Sequence, residues 1–202
     1  MRRVTPLVTG QTYHVYTKSI YGYVVFPTER EYERMIQIMR YYLTGPHERS
    51  FSQFIRSCPV RNIGFDLALK NLHTFRKCGG AINIIAYCLM PTHIHLILKQ
   101  ETDSGIEGYM KRVLSGFSQY FNQLHNRKGP LWQTRFGASL IQSDEQLIEK
   151  IAYVHNNPVK DLGIARQEDW PYSSKTSTLS GSVEVNSFSS SRRRCELPCS
   201  LP

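Results

Sequence analysis

Two β-rich runs lie near the middle of the sequence, and the helical patterns on either side of them limit the possible folds. Residues 82–88 are rich in β-branched and aromatic side chains, and residues 93–99 alternate in polarity. Residues 89–92, which include Pro91, separate the two runs. The sequence therefore predicts a β-hairpin at the centre of the fold.

A helical pattern precedes this hairpin, and a longer one follows it. Before the hairpin, Thr28 and Glu31 form a capping-box signature ahead of apolar residues spaced three and four apart. After it, Ser104 and Glu107 give the same signature at the start of a long apolar stripe. We therefore expect a helix on each side of the hairpin.

Two further strands and a last helix complete the pattern. Residues 12–18 and 136–142 have strand character. Ser143 predicts the start of a final helix, which is expected to end near Asn157 because Pro158 follows. The order βα, ββ, αβ, α predicts an α+β fold, with a ferredoxin-like antiparallel sheet, helices on one face and the other face free for a ligand.

The length of 202 residues suits a single domain. We assign residues 1–174 to this domain and interpret segment 46–80 as an insertion or an extension of the first helix. Residues 175–202 are rich in Ser and Arg and too polar to form a core. They are predicted to be a flexible tail.

The balance of charge favours a polyanionic partner. There are 25 Lys and Arg against 16 Asp and Glu, which gives a formal net charge of +9. Such a surface attracts nucleic acid, although many basic proteins bind nothing specific. No window resembles the run of about 18 apolar residues that a membrane span needs, and the first residues do not resemble a secretory signal. We therefore expect a cytoplasmic protein.

His93 and His95 stand two residues apart on the second strand of the hairpin. Side chains two apart on a strand point to the same side, so both imidazoles face away from the apolar residues between and after them. Imidazole binds divalent metals readily. The pair is a candidate metal site, and the alternative is two histidines on the surface.

Tyr153 lies on the polar side of the last helix when residues are placed at roughly 100° intervals. Asn157 follows one turn later on the same side. A phenol oxygen can attack a phosphodiester of single-stranded DNA, which gives a 5′-phosphotyrosine and a free 3′-hydroxyl and conserves the bond energy for rejoining. These residues are therefore a candidate nucleophile and a candidate metal ligand beside His93 and His95.

Several motifs also carry a resemblance to a known family. Residues 87–98, which contain His93-Ile-His95, resemble the HUH signature of the single-tyrosine transposases of insertion sequences. Residues 131–136, 153–160 and 169–174 look like the branch of REP-associated tyrosine transposases. The resemblance covers about residues 11 to 174, and the motifs occur in the same order.

This resemblance implies a ferredoxin-like HUH nuclease domain that cleaves and rejoins hairpin-forming single-stranded DNA with Mg²⁺ or Mn²⁺. It implies Tyr153 as the nucleophile, His93 and His95 as metal ligands and Asn157 as the third, amide-type ligand. Some members of the family are monomers and others are dimers that exchange the catalytic helix. A monomer and a homodimer therefore both stay open.

Further residues are candidates for contacts with DNA. Arg2, Arg3, Arg135 and Lys160 could hold phosphates, and Trp132 could stack on an unpaired base. Each could equally be a solvated charge or a core tryptophan.

Two other functions fit the same residues. One is a domesticated protein of this fold that binds a nucleic-acid hairpin without cutting it. The other is a metal-dependent hydrolase that uses activated water, in which Tyr153 would have no chemical role.

Overall fold

The computed structural model describes residues 6–44, 49–75, 80–133, 135–176 and 179. Within these residues, four strands form one antiparallel sheet in the order β2-β3-β1-β4. The strands are β1 (Thr12–Lys18), β2 (Ile82–Met90), β3 (His93–Gln100) and β4 (Gly137–Ile141). This is the strand order of the ferredoxin-like arrangement, and the expected α+β fold is confirmed.

Six helices of the described residues lie between and after the strands along the sequence. They are α1 (Glu29–Leu43), α2 (Phe51–Ile55), α3 (Cys58–Ile63), α4 (Phe65–Phe75), α5 (Gly105–Leu124) and α6 (Asp144–Leu162). Short 3₁₀ turns occur at Ile20–Gly22 and Gln167–Asp169. None of the helices in the described part of the chain combines the length and the apolar character needed to cross a membrane.

The main core lies between the sheet and the pair α1 and α5. Alternate residues of β1 and β3 enter it, such as Val15, Leu96 and Leu98, which are fully buried. Because side chains alternate along a strand, the residues between them face the opposite side of the sheet. Those residues include His14 on β1 and His93 and His95 on β3.

The helix α6 departs from the expectation of helices on one face only. It packs on the face opposite α1 and α5, where Val154 and the partly buried Leu147 and Ile151 cover a second apolar cluster with Cys88 and Ile97. The physical reason is that the β2 and β3 end of this face is apolar, so it needs a cover of its own. The face is therefore partly covered, and His14 and His95 lie beside Tyr153 of the covering helix.

The start of α5 also differs from the prediction. Ser104 has a left-handed backbone with φ of 57°, and its side chain makes no capping hydrogen bond. Instead, the Gln100 side chain at the end of β3 accepts a hydrogen bond from the Ile106 N–H at 3.2 Å. A side chain six positions before Ile106 thus satisfies one of the free N–H groups at the start of the helix.

The last helix runs through Pro158 to Leu162, five residues beyond the predicted end at Asn157. A proline inside a helix has no N–H group to donate to the carbonyl four residues earlier. For Pro158, that carbonyl belongs to Val154. The Asn157 side chain compensates, because its Nδ2 donates to the Val154 carbonyl at 3.3 Å and to the Tyr153 carbonyl at 2.9 Å.

Segment 46–80 contains α2, α3 and α4, of which Phe51, Phe54 and Leu69 are buried in the main core. Leu179 is also buried there, although it lies in the stretch predicted to be a tail. Residues 177, 178 and 180–202 are outside the described residues.

Candidate active site

Three aromatic side chains from three elements meet on the sheet face opposite the main core. His14 comes from β1, His95 from β3 and Tyr153 from α6. On the sheet, Tyr16 is directly opposite His95, so His14 is its diagonal neighbour on the same face. The ring centroids of His14 and His95 are 5.2 Å apart.

Both histidines of the HUH motif have their Nδ1 atom engaged. In His95, Nδ1 lies 3.0 Å from Nε2 of His14. In His93, Nδ1 lies 3.0 Å from the hydroxyl oxygen of Thr92. The two rings are edge to face with centroids 5.0 Å apart. The Nε2 atom is therefore the nitrogen that each imidazole has left for a ligand.

Tyr153 lies over these imidazoles within the same chain. Its ring is edge-on to both His14 and His95, with centroids 5.8 Å apart in each case. The side chain is 45% exposed, in contrast to the buried tyrosines of the core such as Tyr109. The phenol thus stands at the surface, where it is accessible to a large substrate.

Asn157 is one turn beyond Tyr153 but is only 4% exposed, so it does not lie on a solvated polar face as its position on the helix suggested. Its Nδ2 is bound to the helix backbone at the carbonyls of Tyr153 and Val154. The amide nitrogen is therefore used structurally, and the oxygen is the atom of this side chain that suits a cation.

Burial makes the imidazoles weak bases. Burial, followed by the charges of His93, His14 and Lys18, lowers the pKa of His95 to about 3. Burial and the nearby Lys150 lower the pKa of His14 to about 4. The pKa of His93 is also lowered, by burial and Lys18, against an opposing effect of Asp161. The imidazoles are neutral at physiological pH, which is the form that binds a metal.

Charged side chains surround the aromatic group. The Lys150 ammonium is 5.5 Å from the centroid of the Tyr153 ring. Lys18 ends β1 directly opposite His93. On α6, the Asp161 carboxylate approaches Nε2 of His93 at 3.9 Å. The site therefore offers cations for phosphate groups and one carboxylate beside an imidazole.

Sequence reasoning missed several residues of this site. His14 and Tyr16 are on β1, and only the pairing of β1 with β3 brings them beside His95. The signal for them was the alternation of β1, whose apolar Tyr13 and Val15 face the core. Asp161 lies beyond the predicted end of the last helix, and it follows Asn157 by one further turn.

Tyr16 lies flat across a glycine of the neighbouring strand. Gly137 is its partner on β4, and a Cβ atom added there would overlap the Tyr16 ring. The ring is 37% exposed, and its centroid is 6.2 Å from that of His95. Glycine at this position thus leaves room for a second exposed phenol beside the imidazoles.

The predicted DNA contacts fall in different environments. Trp132 is only 7% exposed and packs near Phe26 and Phe117, which favours the role of a core tryptophan. Arg135 and Lys160 are exposed. Arg135 follows the stretch in which the Gln133 N–H binds the Lys18 carbonyl, at the end of β1. Arg2 and Arg3 lie outside the described residues.

The donor set fits a divalent cation by its chemistry. Two neutral imidazole nitrogens and an amide oxygen suit a metal that also takes oxygen ligands from water or phosphate. Among the residues that the structure describes, no group of three or more His, Cys, Asp or Glu side chains is gathered as a metal site. Any complete shell here must therefore include other donors, such as Asn157, water or substrate.

A ferredoxin-like sheet that brings a His-x-His pair beside a tyrosine on the last helix agrees with the resemblance to the single-tyrosine HUH transposases. Comparison with known families agrees, because residues 65–157 match the family described as "Transposase IS200 like". This region holds α4, β2, β3, α5, β4 and most of α6. The resemblance to this family that the motifs indicated is confirmed.

Among individual proteins, the chain is similar to one from Haemophilus influenzae that is named as a REP-associated tyrosine transposase. The two are 35% identical over 100 residues, which is 45% of this chain and 57% of the relative. The match thus spans little more than half of the length of that relative.

A solved structure of a REP-associated tyrosine transposase bound to a REP hairpin has the same fold. The TM-score is 0.53 with 17% sequence identity, over 97% of this chain and 99% of the other. At this identity the likeness concerns the fold alone, and it extends to β1 and α1, which precede the family match.

Proposed function

We propose that the protein is a transposase-like endonuclease, which cleaves and rejoins hairpin-forming single-stranded DNA through a 5′-phosphotyrosine at Tyr153. The observation that carries the proposal is the position of this exposed phenol: the ring centroids of Tyr153 and His95 of the same chain are 5.8 Å apart. A phosphate that contacts the Nε2 side of the imidazoles is then within reach of the phenol oxygen.

The covalent step exchanges one phosphate ester for another at Tyr153. The Tyr153 oxygen forms a bond to phosphorus as the bond between phosphorus and the 3′ oxygen breaks. The phenol loses its proton, and the 3′ oxygen gains one to leave as a hydroxyl. Because the phosphotyrosine is an ester, the reverse attack by a 3′-hydroxyl rejoins a strand without another source of energy.

His93 and His95 would hold a Mg²⁺ or Mn²⁺ ion through Nε2, and the oxygen of Asn157 is the third candidate donor. When bound, such an ion polarises the scissile phosphate and offsets the charge that develops on it. The low pKa of His95, about 3, keeps its imidazole available for this role at neutral pH.

The DNA itself would be held by cations around the phenol. Lys150 and Lys18 flank the aromatic group, and the exposed Arg135 and Lys160 extend the basic surface. We propose Arg2 and Arg3 as further phosphate contacts on the strength of their charge. Hairpin-forming DNA is proposed as the substrate because the structural relative is bound to a REP hairpin.

The test is incubation with single-stranded hairpin DNA and Mn²⁺, followed by a denaturing gel that separates free DNA from a covalent adduct. Tyr153→Phe should abolish the adduct and leave DNA binding intact. Tyr16→Phe is the matched control, because it removes another exposed phenol beside His95. The control should form the adduct at the level of the unaltered protein.

Other results would point elsewhere. Loss of the adduct in Tyr16→Phe but not in Tyr153→Phe would show that Tyr16 is the nucleophile and that the assignment to Tyr153 is wrong. Cleaved DNA with a free 5′-phosphate and no attached protein would mean a hydrolase that uses water. Binding without any cleavage would mean a hairpin-binding module.

A further inference from the structure

His14 is not part of the HUH motif, and the proposed cleavage reaction gives it no role. It nevertheless forms a hydrogen bond with His95, a candidate metal ligand. The two side chains are each 6% exposed, and Nε2 of His14 lies 3.0 Å from Nδ1 of His95. Their ring planes are within 16° of parallel. A hydrogen bond between two imidazoles requires that one nitrogen carries the proton and the other accepts it.

We propose that His14 is a positioning residue, whose Nε2 accepts a hydrogen bond from the Nδ1–H group of His95 and thereby keeps His95 in the tautomer whose Nε2 is free to bind a cation. The inference deepens the proposed function, on which its metal-binding consequence rests. The tautomer itself is a property of the metal-free protein.

The sheet geometry explains why this partner is effective. His14 and His95 are diagonal neighbours on adjacent strands, and these strands also pair through the register Val15 to Leu96. Neither ring can turn away easily, because the Tyr153 ring is edge-on to both, with centroids 5.8 Å apart. A neutral imidazole without such a partner favours the opposite tautomer, with the proton on Nε2, which blocks that nitrogen as a ligand.

His93 differs in this respect. Its Nδ1 contacts the Thr92 hydroxyl, which can either donate or accept a hydrogen bond by rotation. Thr92 therefore does not decide the tautomer of His93. The inference assigns His14 the accepting role: with its own proton on Nδ1, it accepts through Nε2, and His95 then carries its proton on Nδ1.

The direct measurement uses long-range ¹H–¹⁵N spectra of the metal-free protein at neutral pH, with His95 assigned by comparison with His95→Ala. We expect the His95 proton on Nδ1. In His14→Phe, which keeps the ring and removes the acceptor, the proton should move towards Nε2. In His14→Gln, whose amide reaches the place of Nε2, it should stay on Nδ1.

Mn²⁺ affinity, measured by electron paramagnetic resonance without DNA, gives the second readout. His14→Phe should bind Mn²⁺ about 10- to 100-fold more weakly, the usual effect of losing such a partner, and His14→Gln should recover much of the loss. The control is His125→Phe, which removes a hydrogen bond to Glu31 on the other side of the sheet. It lowers stability but should leave Mn²⁺ affinity unchanged.

A proton on Nε2 of His95 in the unaltered protein would overturn the inference, as would full Mn²⁺ affinity in folded His14→Phe. Where the Phe variant does not fold, His14→Asn replaces it, because its shorter amide cannot reach His95. If no form of the protein binds Mn²⁺ while the spectra show the expected tautomers, the metal part of the proposed function fails and the role of His14 stands.

Discussion

Lys150 carries its ammonium group 5.5 Å from the centroid of the Tyr153 ring, and it forms no ion pair among the described residues. The charge of Lys150 affects both a nearby imidazole and the binding of phosphate. It lowers the pKa of the buried His14, and it offers a contact to a phosphate that approaches the phenol. Its contribution to DNA binding should therefore be electrostatic and sensitive to salt.

Replacement of Lys150 by Met is expected to reduce the slope of log affinity against log salt concentration by about 0.7 to 1 for single-stranded DNA, because one fewer counterion is released. Fluorescence anisotropy at several salt concentrations measures this slope. The control is Lys99→Met, since Lys99 is paired with Glu101 at 3.4 Å. An equal fall of the slope in both variants would show that Lys150 has no special contact.

Glu31 is a buried carboxylate that links two helices of the main core. It accepts the Thr28 N–H at 3.1 Å and lies 3.0 Å from Nε2 of His125 at the end of α5. Burial alone would raise the pKa of Glu31, but the hydrogen bonds from Thr28, His125 and the backbone lower it below the ordinary 4.5.

A carboxylate whose pKa is lower in the folded state stabilises that state above the unfolded value, and the contribution is lost as the pH falls through the folded value. Glu31→Gln should therefore cost about 1–3 kcal/mol of unfolding free energy at pH 7 and much less near pH 3. Urea denaturation at both values measures the difference. A cost independent of pH would mean that Glu31 contributes to the free energy of unfolding through its shape and not through its charge.

At the scale of elements, α6 depends on an unusual pair of neighbours. Pro158 removes one helical hydrogen bond, and the Asn157 amide supplies a donor for the carbonyl that is left. The same amide is anchored to the Tyr153 carbonyl at 2.9 Å. The backbone that carries the phenol and the side chain that is a candidate ligand are thus held together.

A double-mutant cycle tests this coupling. Asn157→Ala should cost about 1–3 kcal/mol of unfolding free energy, because the buried Val154 carbonyl loses its donor. In a Pro158→Ala background the new backbone N–H takes that place, so the same substitution should cost clearly less. Costs that are equal in both backgrounds would contradict the compensation.

The same elements show what local sequence patterns can and cannot reveal. The strands and helices follow from alternation and helical spacing, which are local, and the pairing of His93 with His95 on one face follows from them. The partner of His95 depends on strand register, which joins residues 81 positions apart in sequence. The passage of α6 through Pro158 was hidden because the compensating donor is a side chain, and helix rules consider the backbone.

At the scale of the whole molecule, the sheet separates stability from chemistry. One face packs on α1 and α5 to form the main core, and the other carries the imidazoles beside a partial cover from α6. Because α6 both covers that face and bears Tyr153, its packing sets the distance between the phenol and the imidazoles. The imidazoles and the phenol of the candidate site lie together in one chain.

This placement predicts that the proposed cleavage occurs in cis. Tyr153→Phe and His95→Ala each remove one part of the site, so a mixture of the two chains, unfolded and refolded together, should give only background levels of the DNA adduct. If the chains instead exchanged α6 in a dimer, half of the molecules would be mixed and each would have one intact site. The mixture would then recover up to about a quarter of the activity. Recovery of that size on the denaturing gel would show that Tyr153 of one chain works together with the imidazoles of a partner chain. The arrangement within one chain would then not be the catalytic one.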